Sequence, residues 1–258
     1  MIGGGPAGLA AAHVLSSRGH NVTLWEKDSQ LGRSFRYASM EPMKEPMKKF
    51  LDYLINQVKK TNSSVQLNKE ATVSSVKALS PDVVILAHGA KHVPVEIKGS
   101  QCNGVLNVKN AFLNIESIGN NIAIVGGGAE GCELADFLAM RGKKVTLIEM
   151  RRVMGLELVA HPRYHVCERL KKMGAQLYVN AKVTEIGRDY IIISRRREAD
   201  QKLEGFDNIV IPTLHQSNTE LISSIQLFVP EVYTVGDAVE GRTALEAIAE
   251  GTEIGMKI

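Results

Sequence analysis

The sequence is poor in cysteine, in aromatic residues and in long apolar runs. Its 258 residues include three cysteines, Cys102, Cys132 and Cys167, and no C-x-x-C pair. Three cysteines cannot all pair with one another, which favours free thiols in a reducing compartment, and we expect a cytoplasmic protein. No run of about 18 apolar residues occurs, so no membrane span is predicted. The first residues also lack the charged and apolar regions of a signal peptide.

No charge of one sign dominates the chain. Lys and Arg together number 31 against 28 Asp and Glu, a net charge of +3. That balance argues neither for nor against nucleic acid, and we expect no nucleic-acid partner. The densest basic run, Arg195 to Arg197, follows the strand-like residues 190–194 and precedes acidic residues, which is typical of a solvated hairpin turn. Hydrophobic residues make up 44% of the chain, enough for a large core.

The chain contains an internal repeat. Residues 3–27 read GGGPAGLAAAHVLSSRGHNVTLWEK, and residues 126–150 read GGGAEGCELADFLAMRGKKVTLIEM. Each copy consists of a glycine-rich turn, a helical stretch and a strand. The repeat predicts an α/β fold of two nested Rossmann-like dinucleotide-binding domains, the second inserted in the first. We predict one domain at residues 1–110 with 215–258, and the other at residues 111–214.

Both glycine-rich turns match the dinucleotide-binding fingerprint. The first is Gly3-x-Gly5-x-x-Gly8 and the second is Gly126-x-Gly128-x-x-Gly131. In such turns the first glycine permits the tight turn, the second lets the backbone approach a pyrophosphate, and the third lets the helix pack against the strand. The phosphates lie at the helix N-terminus, where free N–H groups and the helix dipole favour anions.

An acidic residue stands 18 positions after the last glycine of each turn, Glu26 in the first copy and Glu149 in the second. A carboxylate there suits two hydrogen bonds from a ribose diol. Glu149 favours NADH, because a carboxylate repels the 2′-phosphate of NADPH. Arg151 and Arg152 follow at once and could hold that phosphate, although a solvated loop is their simpler interpretation. NADPH therefore stays open as the alternative.

Further elements are predicted from hydrophobic spacing. The helices are predicted at residues 9–18, 44–60, 132–141, 163–173 and 244–258, and the strands at residues 22–25, 83–87, 122–125, 144–148, 176–180, 209–211 and 232–235, with a ribbon at 182–194. Gly236-Asp237 follows the last strand, where a carboxylate can bind a polyol. The strand before the first glycine turn is reduced to Met1-Ile2, which should expose a buried groove, so we expect the second site to be the more complete.

These segments resemble the flavoprotein disulfide reductase superfamily. Within it the chain is most similar to the C-terminal half of the NADH:flavin oxidoreductases of the 2,4-dienoyl-CoA reductase and trimethylamine dehydrogenase type. The resemblance covers almost the whole chain, and the segments that carry it are the two repeat copies, KEPMKKFLDYLINQVKK, PDVVILAHGA, NTEL and VYTVGDAVEGRTALEAIAEG.

The resemblance implies two bound cofactors. FAD, or ADP alone, would lie in the first domain, with NADH or NADPH in the second. For the first nucleotide the candidate residues are Gly3, Gly5, Pro6, Ala7, Gly8, Glu26, Lys27, Ala71, Gly89, Gly236 and Asp237. For the second they are Gly126, Gly128, Glu130, Gly131, Glu133, Glu149 and Val183. Ala71 and Val183 match positions whose backbone lies by the adenines, and Glu133 matches one near the nicotinamide. No side chain is predicted to act as a nucleophile, and no metal site is predicted.

The resemblance also implies a partner. Proteins of this type usually carry a barrel that binds FMN and a cysteine cluster for an iron–sulfur centre, and these residues contain neither. The leading hypothesis is a module that transfers a hydride from NADH to FAD and passes the electrons to another domain or subunit. The alternatives are a non-catalytic nucleotide-binding module, a fragment of a longer flavoenzyme and a plain NAD-binding dehydrogenase.

Several positions depart from the pattern of these proteins. His88 stands where they usually have threonine, and Leu214 to Ser217 replace a run of Gly, aromatic, Arg and Pro. Gly32-Arg33 replaces a Gly-Gly pair. His88 and His215 could transfer protons, but local substitution without a chemical role is the favoured interpretation.

Overall fold

The computed structural model describes residues 1–39 and 44–258. In chain order the elements are α1 (Pro6–Ser17), β1 (Thr23–Trp25), α2 (Arg33–Ala38), α3 (Glu45–Lys59), β2 (Ser64–Gln66), α4 (Val73–Leu79), β3 (Val83–Leu86), β4 (Lys91–Pro94), β5 (Val105–Asn107), α5 (Val108–Leu113), β6 (Asn121–Val125), α6 (Ala129–Ala139), β7 (Lys144–Ile148), α7 (Ala160–Lys172), β8 (Gln176–Tyr178), β9 (Lys182–Ile186), β10 (Tyr190–Ser194), β11 (Gln201–Glu204), β12 (Asn208–Ile211), β13 (Thr213–Gln216), α8 (Glu220–Ile225), β14 (Glu231–Thr234), a 3₁₀ turn (Gly236–Ala238) and α9 (Ala244–Lys257).

The elements form two units. One consists of Met1–Val93 and His215–Ile258, and the other of Pro94–Leu214. The first boundary thus lies before the predicted position 110. The reason is β5, which pairs in parallel with β12 and so belongs to the sheet of the inserted unit. A strand of three residues is too short to show a hydrophobic period.

The sheet of the first unit is completed by residues 1 and 2. Ile2 forms parallel bridges to Trp25 of β1 and to Leu86 of β3, and its side chain is buried. β2 pairs with β1, and β14 pairs with β3, both in parallel. The resulting order is β2, β1, residues 1–2, β3, β14. The expectation that so short a leading strand exposes a buried groove is therefore wrong, since these two residues fill the central position.

Helices α1 and α9 of the first unit pack together through small residues. A methyl group at Gly251 of α9 would lie 2.2 Å from the carbonyl oxygen of Ala7, and one at Gly255 would lie 2.9 Å from Cβ of Val14. Contacts this short leave no room for larger side chains. The close packing fixes the first turn of α1 against the end of the chain.

The second unit repeats this arrangement. Its sheet has the order β8, β7, β6, β12, β5, and all four pairings are parallel. A buried run such as Ile122 to Ile124 of β6 is typical of a parallel sheet that is covered on both faces. β9, β10 and β11 add an antiparallel ribbon. The basic run Arg195 to Arg197 forms the turn between β10 and β11, as predicted. The predicted fold class, α/β with parallel sheets, is confirmed.

Candidate functional site

The first glycine turn needs glycine at two positions for packing reasons. Gly3 has φ +106°, and a methyl group there would lie 2.3 Å from the carbonyl oxygen of Ala87. At Gly8 a methyl group would lie 2.0 Å from the carbonyl oxygen of Gly3. The third glycine of the fingerprint therefore allows α1 to pack against the carbonyl group of the first glycine.

The middle glycine is different, because a methyl group at Gly5 would meet no atom of residues 1–39 and 44–258 within 4 Å. Gly5 is nevertheless buried. It is the residue before α1, and it has no side chain with which to cap the N–H groups of the first turn. Open space beside uncapped N–H groups at a helix N-terminus suits an anionic group such as a phosphate.

Glu26 holds the first glycine turn in place. Its side chain is almost fully buried at the end of β1. Oε2 accepts a hydrogen bond from the backbone N–H of Gly4 at 2.7 Å, and Oε1 accepts one from the N–H of Asp28 at 2.9 Å. A carboxylate offers about four acceptor positions, so two stay available for the hydroxyl groups of a ribose.

A cavity of about 470 Å³ lies next to this turn. Its residues come from the first unit and include Gly3, Glu26, Lys27 and Ala71, four of the predicted site residues. Sequence reasoning did not assign Arg33, Lys69, His88 or Asn218 to the site, although all four line the cavity. Arg33 and His88 are positions at which the chain departs from the pattern of similar proteins, and Asn218 begins the NTEL segment. Lys69 lies in a connecting segment that carries no motif.

A buried polar atom without a partner also borders the cavity. Nε1 of Trp25 has no hydrogen-bond partner within the part of the chain that the structure describes. Burial lowers the pKa of the nearby His88, the contact of its ring with Asn218 raises it, and the Arg33 guanidinium lowers it. The net effect is a lowered pKa, so the ring is neutral at pH 7. Arg33 also donates a hydrogen bond to the His88 carbonyl oxygen. Unpartnered polar atoms beside a cavity fit a polar ligand such as a nucleotide.

The other residues predicted for the first site surround the same turn. Pro6, Ala7 and Gly8 form the first turn of α1. Gly236 has φ +66°, and a methyl group there would lie 3.0 Å from Cβ of Ala7, so the Gly236-Asp237 turn lies beside this helix N-terminus. Burial raises the pKa of Asp237, while Oδ1 accepts a hydrogen bond from the N–H of Arg242 at 3.3 Å.

Gly89 has φ +75° and lies next to Arg33. The His215 ring packs edge-on against His92 at 4.6 Å between centroids.

The second glycine turn has the same backbone arrangement. A methyl group at Gly131 would lie 1.9 Å from the carbonyl oxygen of Gly126. Oε2 of Glu149 accepts a hydrogen bond from the N–H of Gly127 at 2.8 Å, and Glu149 is buried as Glu26 is. The two copies of the repeat therefore share a buried acid bound to the second residue of the glycine turn.

Arg151 makes the second site different from the first. Its Nε donates to Oε1 of Glu149 at 3.0 Å, and its Nη1 donates to Oε1 of Glu157 at 2.5 Å. Arg151 is thus a partly exposed loop residue, in keeping with its simpler interpretation, and its side chain also bridges two carboxylates. Its charge offsets that of Glu149. Arg152, in contrast, is exposed.

The remaining candidates of the second unit lie on α6 and β9. Glu130 is in the first turn of α6, where an acidic residue is favoured by the helix dipole, and Glu133 lies further along the same helix. Val183 is buried in β9 and packs in the core with Ile148 and Ile193, so only its backbone could face a ligand. All three cysteines are free. Burial raises the pKa of Cys132 to about 12.

Within residues 1–39 and 44–258, no group of three or more His, Cys, Asp or Glu side chains could hold a metal ion. Over the same ranges, none of the helices is both long and apolar enough to cross a bilayer.

The chain matches a known protein family over almost its full length. Residues 1–251 match the family model described as pyridine nucleotide-disulphide oxidoreductase. The chain is 31% identical over 269 residues to the NADH oxidase of Thermoanaerobacter brockii, a match to 100% of this chain and 40% of that protein. It is 36% identical over 186 residues to the bilirubin reductase of Mediterraneibacter gnavus, covering 72% of this chain and 29% of that protein.

A solved structure shares the fold over the full chain. The complex of 2-naphthoyl-CoA reductase with 2-naphthoyl-CoA superposes with a TM-score of 0.93 and 28% sequence identity, and the match covers 100% of this chain and 39% of that one. The chain thus spans about two fifths of the length of both the NADH oxidase and this reductase.

Proposed function

Because this chain belongs to the pyridine nucleotide-disulphide oxidoreductase family, we propose that it is a flavin-dependent NAD(P)H oxidoreductase module. The observation that carries the proposal is the repeated hydrogen bond from a glycine turn to a buried acid, Gly4 to Glu26 and Gly127 to Glu149. Two such frames in one chain suit two dinucleotides. FAD and NAD(P)H, when bound, supply the hydride-transfer chemistry.

In the first unit, the residues would bind and orient FAD. The open space at Gly5 and the N-terminus of α1 suit its pyrophosphate, Glu26 suits the ribose, and Lys27 and Lys69 add positive charge to the cavity. Asp237 offers a carboxylate beside α1 for hydroxyl groups. Thr243 and Glu246 form a capping box at the start of α9, whose N-terminal dipole would favour an anion. FAD is preferred to ADP because of the Gly236-Asp237 turn.

In the second unit, Gly126, Gly128, Gly131 and Glu149 would bind the nicotinamide dinucleotide. NADH is the proposed donor, since Glu149 stands at the position that binds a ribose diol. Arg151 offsets the charge of Glu149, which makes NADPH the alternative donor. Glu130, Glu133 and Val183 belong to this site by resemblance.

Electrons would leave for an acceptor on another domain or subunit, of the type that carries FMN and an iron–sulfur centre. The proposal draws support from the relatives, of which this chain matches about two fifths. Three free cysteines suit a reducing compartment, and we propose the cytoplasm.

The absorption spectrum of the purified chain tests the proposal. After incubation with FAD and removal of the excess, we expect a flavin spectrum that NADH bleaches in the absence of oxygen. A control without NADH should keep its colour. A protein that stays colourless, or a bound flavin that neither NADH nor NADPH bleaches, would contradict the proposal.

A non-catalytic nucleotide-binding module is the second candidate. The observation in its favour is the position of the Glu157 carboxylate, which lies 3.1 Å from where a methyl group on Gly128 would be. A carboxylate there opposes the phosphates of NAD(P)H at the second glycine turn. Mass spectrometry of the extracted ligand distinguishes the two candidates, because FAD supports the oxidoreductase and ADP alone supports the binding module.

A further inference from the structure

One carboxylate in the second unit lies where the phosphates of a dinucleotide are expected. A methyl group at Gly128 would be 3.1 Å from Oε2 of Glu157 and 3.6 Å from Nη2 of Arg151. At the equivalent Gly5 of the first unit, no atom of the described part of the chain lies within 4 Å of the same position. Gly128 is the residue before α6, so the carboxylate lies at a helix N-terminus, which attracts anions.

Two kinds of contact hold Glu157 there. Nη1 of Arg151 donates to its Oε1 at 2.5 Å. This guanidinium, together with the backbone N–H groups of Glu157 and Ala129, holds the pKa of the Glu157 carboxyl below its usual range. The side chain is therefore ionised at neutral pH. Its carboxylate lies beside Gly128 at the N-terminus of α6, where a phosphate would be attracted.

The segment that carries Glu157 folds over the glycine turn. The N–H of Gly155 donates to the carbonyl oxygen of Gly127 at 2.6 Å, and Met154 is buried against the turn. The Glu157 side chain itself is half exposed. It can thus leave the turn by breaking its partly exposed contacts with Arg151 and the start of α6, without disturbing the buried residues of the segment.

We infer that Glu157 is an internal competitor for the dinucleotide phosphates, which must displace its carboxylate from the N-terminus of α6 before NAD(P)H binds. The inference rests on the proposed function, because it requires that this turn takes a pyrophosphate. Displacement also frees Nη1 of Arg151 for a phosphate oxygen. The apparent association constant for NAD(P)H is then that of the open turn multiplied by the fraction of molecules in which Glu157 has left the turn.

Calorimetric titration of NADH into the 258-residue chain tests the inference. Exposed ion pairs are weak, so we expect Glu157→Gln to bind NADH about two- to fivefold more tightly than the unaltered chain. Glu204→Gln is the matched control. Glu204 lies in the same unit and pairs with Lys202 at 2.7 Å on β11, and its loss should leave NADH affinity unchanged.

Adenosine serves as a second probe, because it has no phosphate. Its affinity should be the same for the unaltered chain and for Glu157→Gln. Equal or weaker NADH binding by a folded Glu157→Gln variant would overturn the inference while leaving the proposed function intact. If none of the folded proteins binds NADH or NADPH, the proposed function fails and the inference fails with it.

A measurement on the unaltered chain removes any dependence on variant folding. Sodium pyrophosphate is titrated into ¹⁵N-labelled protein, and the backbone amide resonances of Ala129 and Glu157 are followed. Displacement predicts that both resonances shift with one midpoint. A shift at Ala129 with none at Glu157, or no shift at either, would contradict displacement.

Discussion

Oε2 of Glu26 accepts a hydrogen bond of 2.7 Å from the backbone N–H of Gly4, 22 residues earlier in the chain. The bond joins the end of β1 to the glycine turn that precedes α1. The acid is therefore part of the frame of the turn as well as a candidate ribose ligand.

We expect Glu26→Gln to destabilise the first unit. An amide group has one acceptor oxygen, so either the N–H of Gly4 or that of Asp28 loses its partner. An unpaired buried N–H costs about 1–3 kcal/mol, and urea unfolding should show a loss of that size. Glu45→Gln, which removes an exposed ion pair to Lys49, is the control and should change stability by less than about 0.5 kcal/mol. Equal stability of both variants would show that the bond is dispensable.

Gly5 and Gly8 should respond oppositely to alanine. Gly5→Ala places its methyl group in open space, so the thermal midpoint should stay close to that of the unaltered chain while FAD binding falls by roughly tenfold or more, because the methyl group occupies the space where the phosphates bind. Gly8→Ala meets a carbonyl oxygen at 2.0 Å and should lower the thermal midpoint.

Flavin retention after gel filtration and differential scanning calorimetry measure the two effects. A Gly5→Ala variant that keeps FAD as tightly as the unaltered chain would contradict the assignment of the phosphates to this turn.

Arg151 should control the choice between NADH and NADPH. Its guanidinium offsets the charge of Glu149, and a 2′-phosphate would otherwise face an uncompensated carboxylate. Hydrogen bonds to charged groups contribute about 1.5–3 kcal/mol, so Arg151→Gln should weaken NADPH relative to NADH by roughly tenfold or more. Titration of both dinucleotides gives the ratio. Arg152→Gln is the matched control, and a larger effect there than at Arg151 would show that the neighbouring arginine takes this role.

Cys132 should resist alkylation in the folded protein. Burial raises the pKa of its thiol from 9.0 to about 12, which lowers the thiolate fraction at pH 8 roughly a thousandfold. Its Sγ also donates to the carbonyl oxygen of Gly127 at 3.4 Å. Iodoacetamide labelling followed by peptide mass spectrometry should find Cys132 unmodified until denaturant is added. Rapid labelling of Cys132 under native conditions would show that α6 opens locally.

Long-range repetition made the fold predictable. The two copies of the repeat define which residues form a turn, a helix and a strand, and Glu26 and Glu149 stand at matching positions after them. The short elements β4, β11 and β13 were not predicted. They have four residues each. β4 and β13 pair with each other from distant parts of the chain, and β11, which follows its partner β10, is polar and mostly exposed, so no hydrophobic pattern indicates any of the three.

The site could be predicted only in part, for the same reason. The glycines and acids of the turns follow from their spacing, whereas Lys69 and Glu157 reach the two turns through folding of segments that have no motif. The prediction that the second site is more complete than the first does not match the geometry. Ile2 fills the central strand position of the first unit, and Glu157 lies over the turn of the second.

The sequence alone determined that this protein has two similar frames, because a glycine turn, a helix and an acid at a set distance are local features that each copy carries in full. Tertiary structure alone decided how the two frames differ. Whether the space beside Gly5 or Gly128 is open depends on which distant side chain reaches it. At Gly128 that side chain is Glu157, held by Arg151, whereas at Gly5 none of the side chains that the structure describes comes within 4 Å.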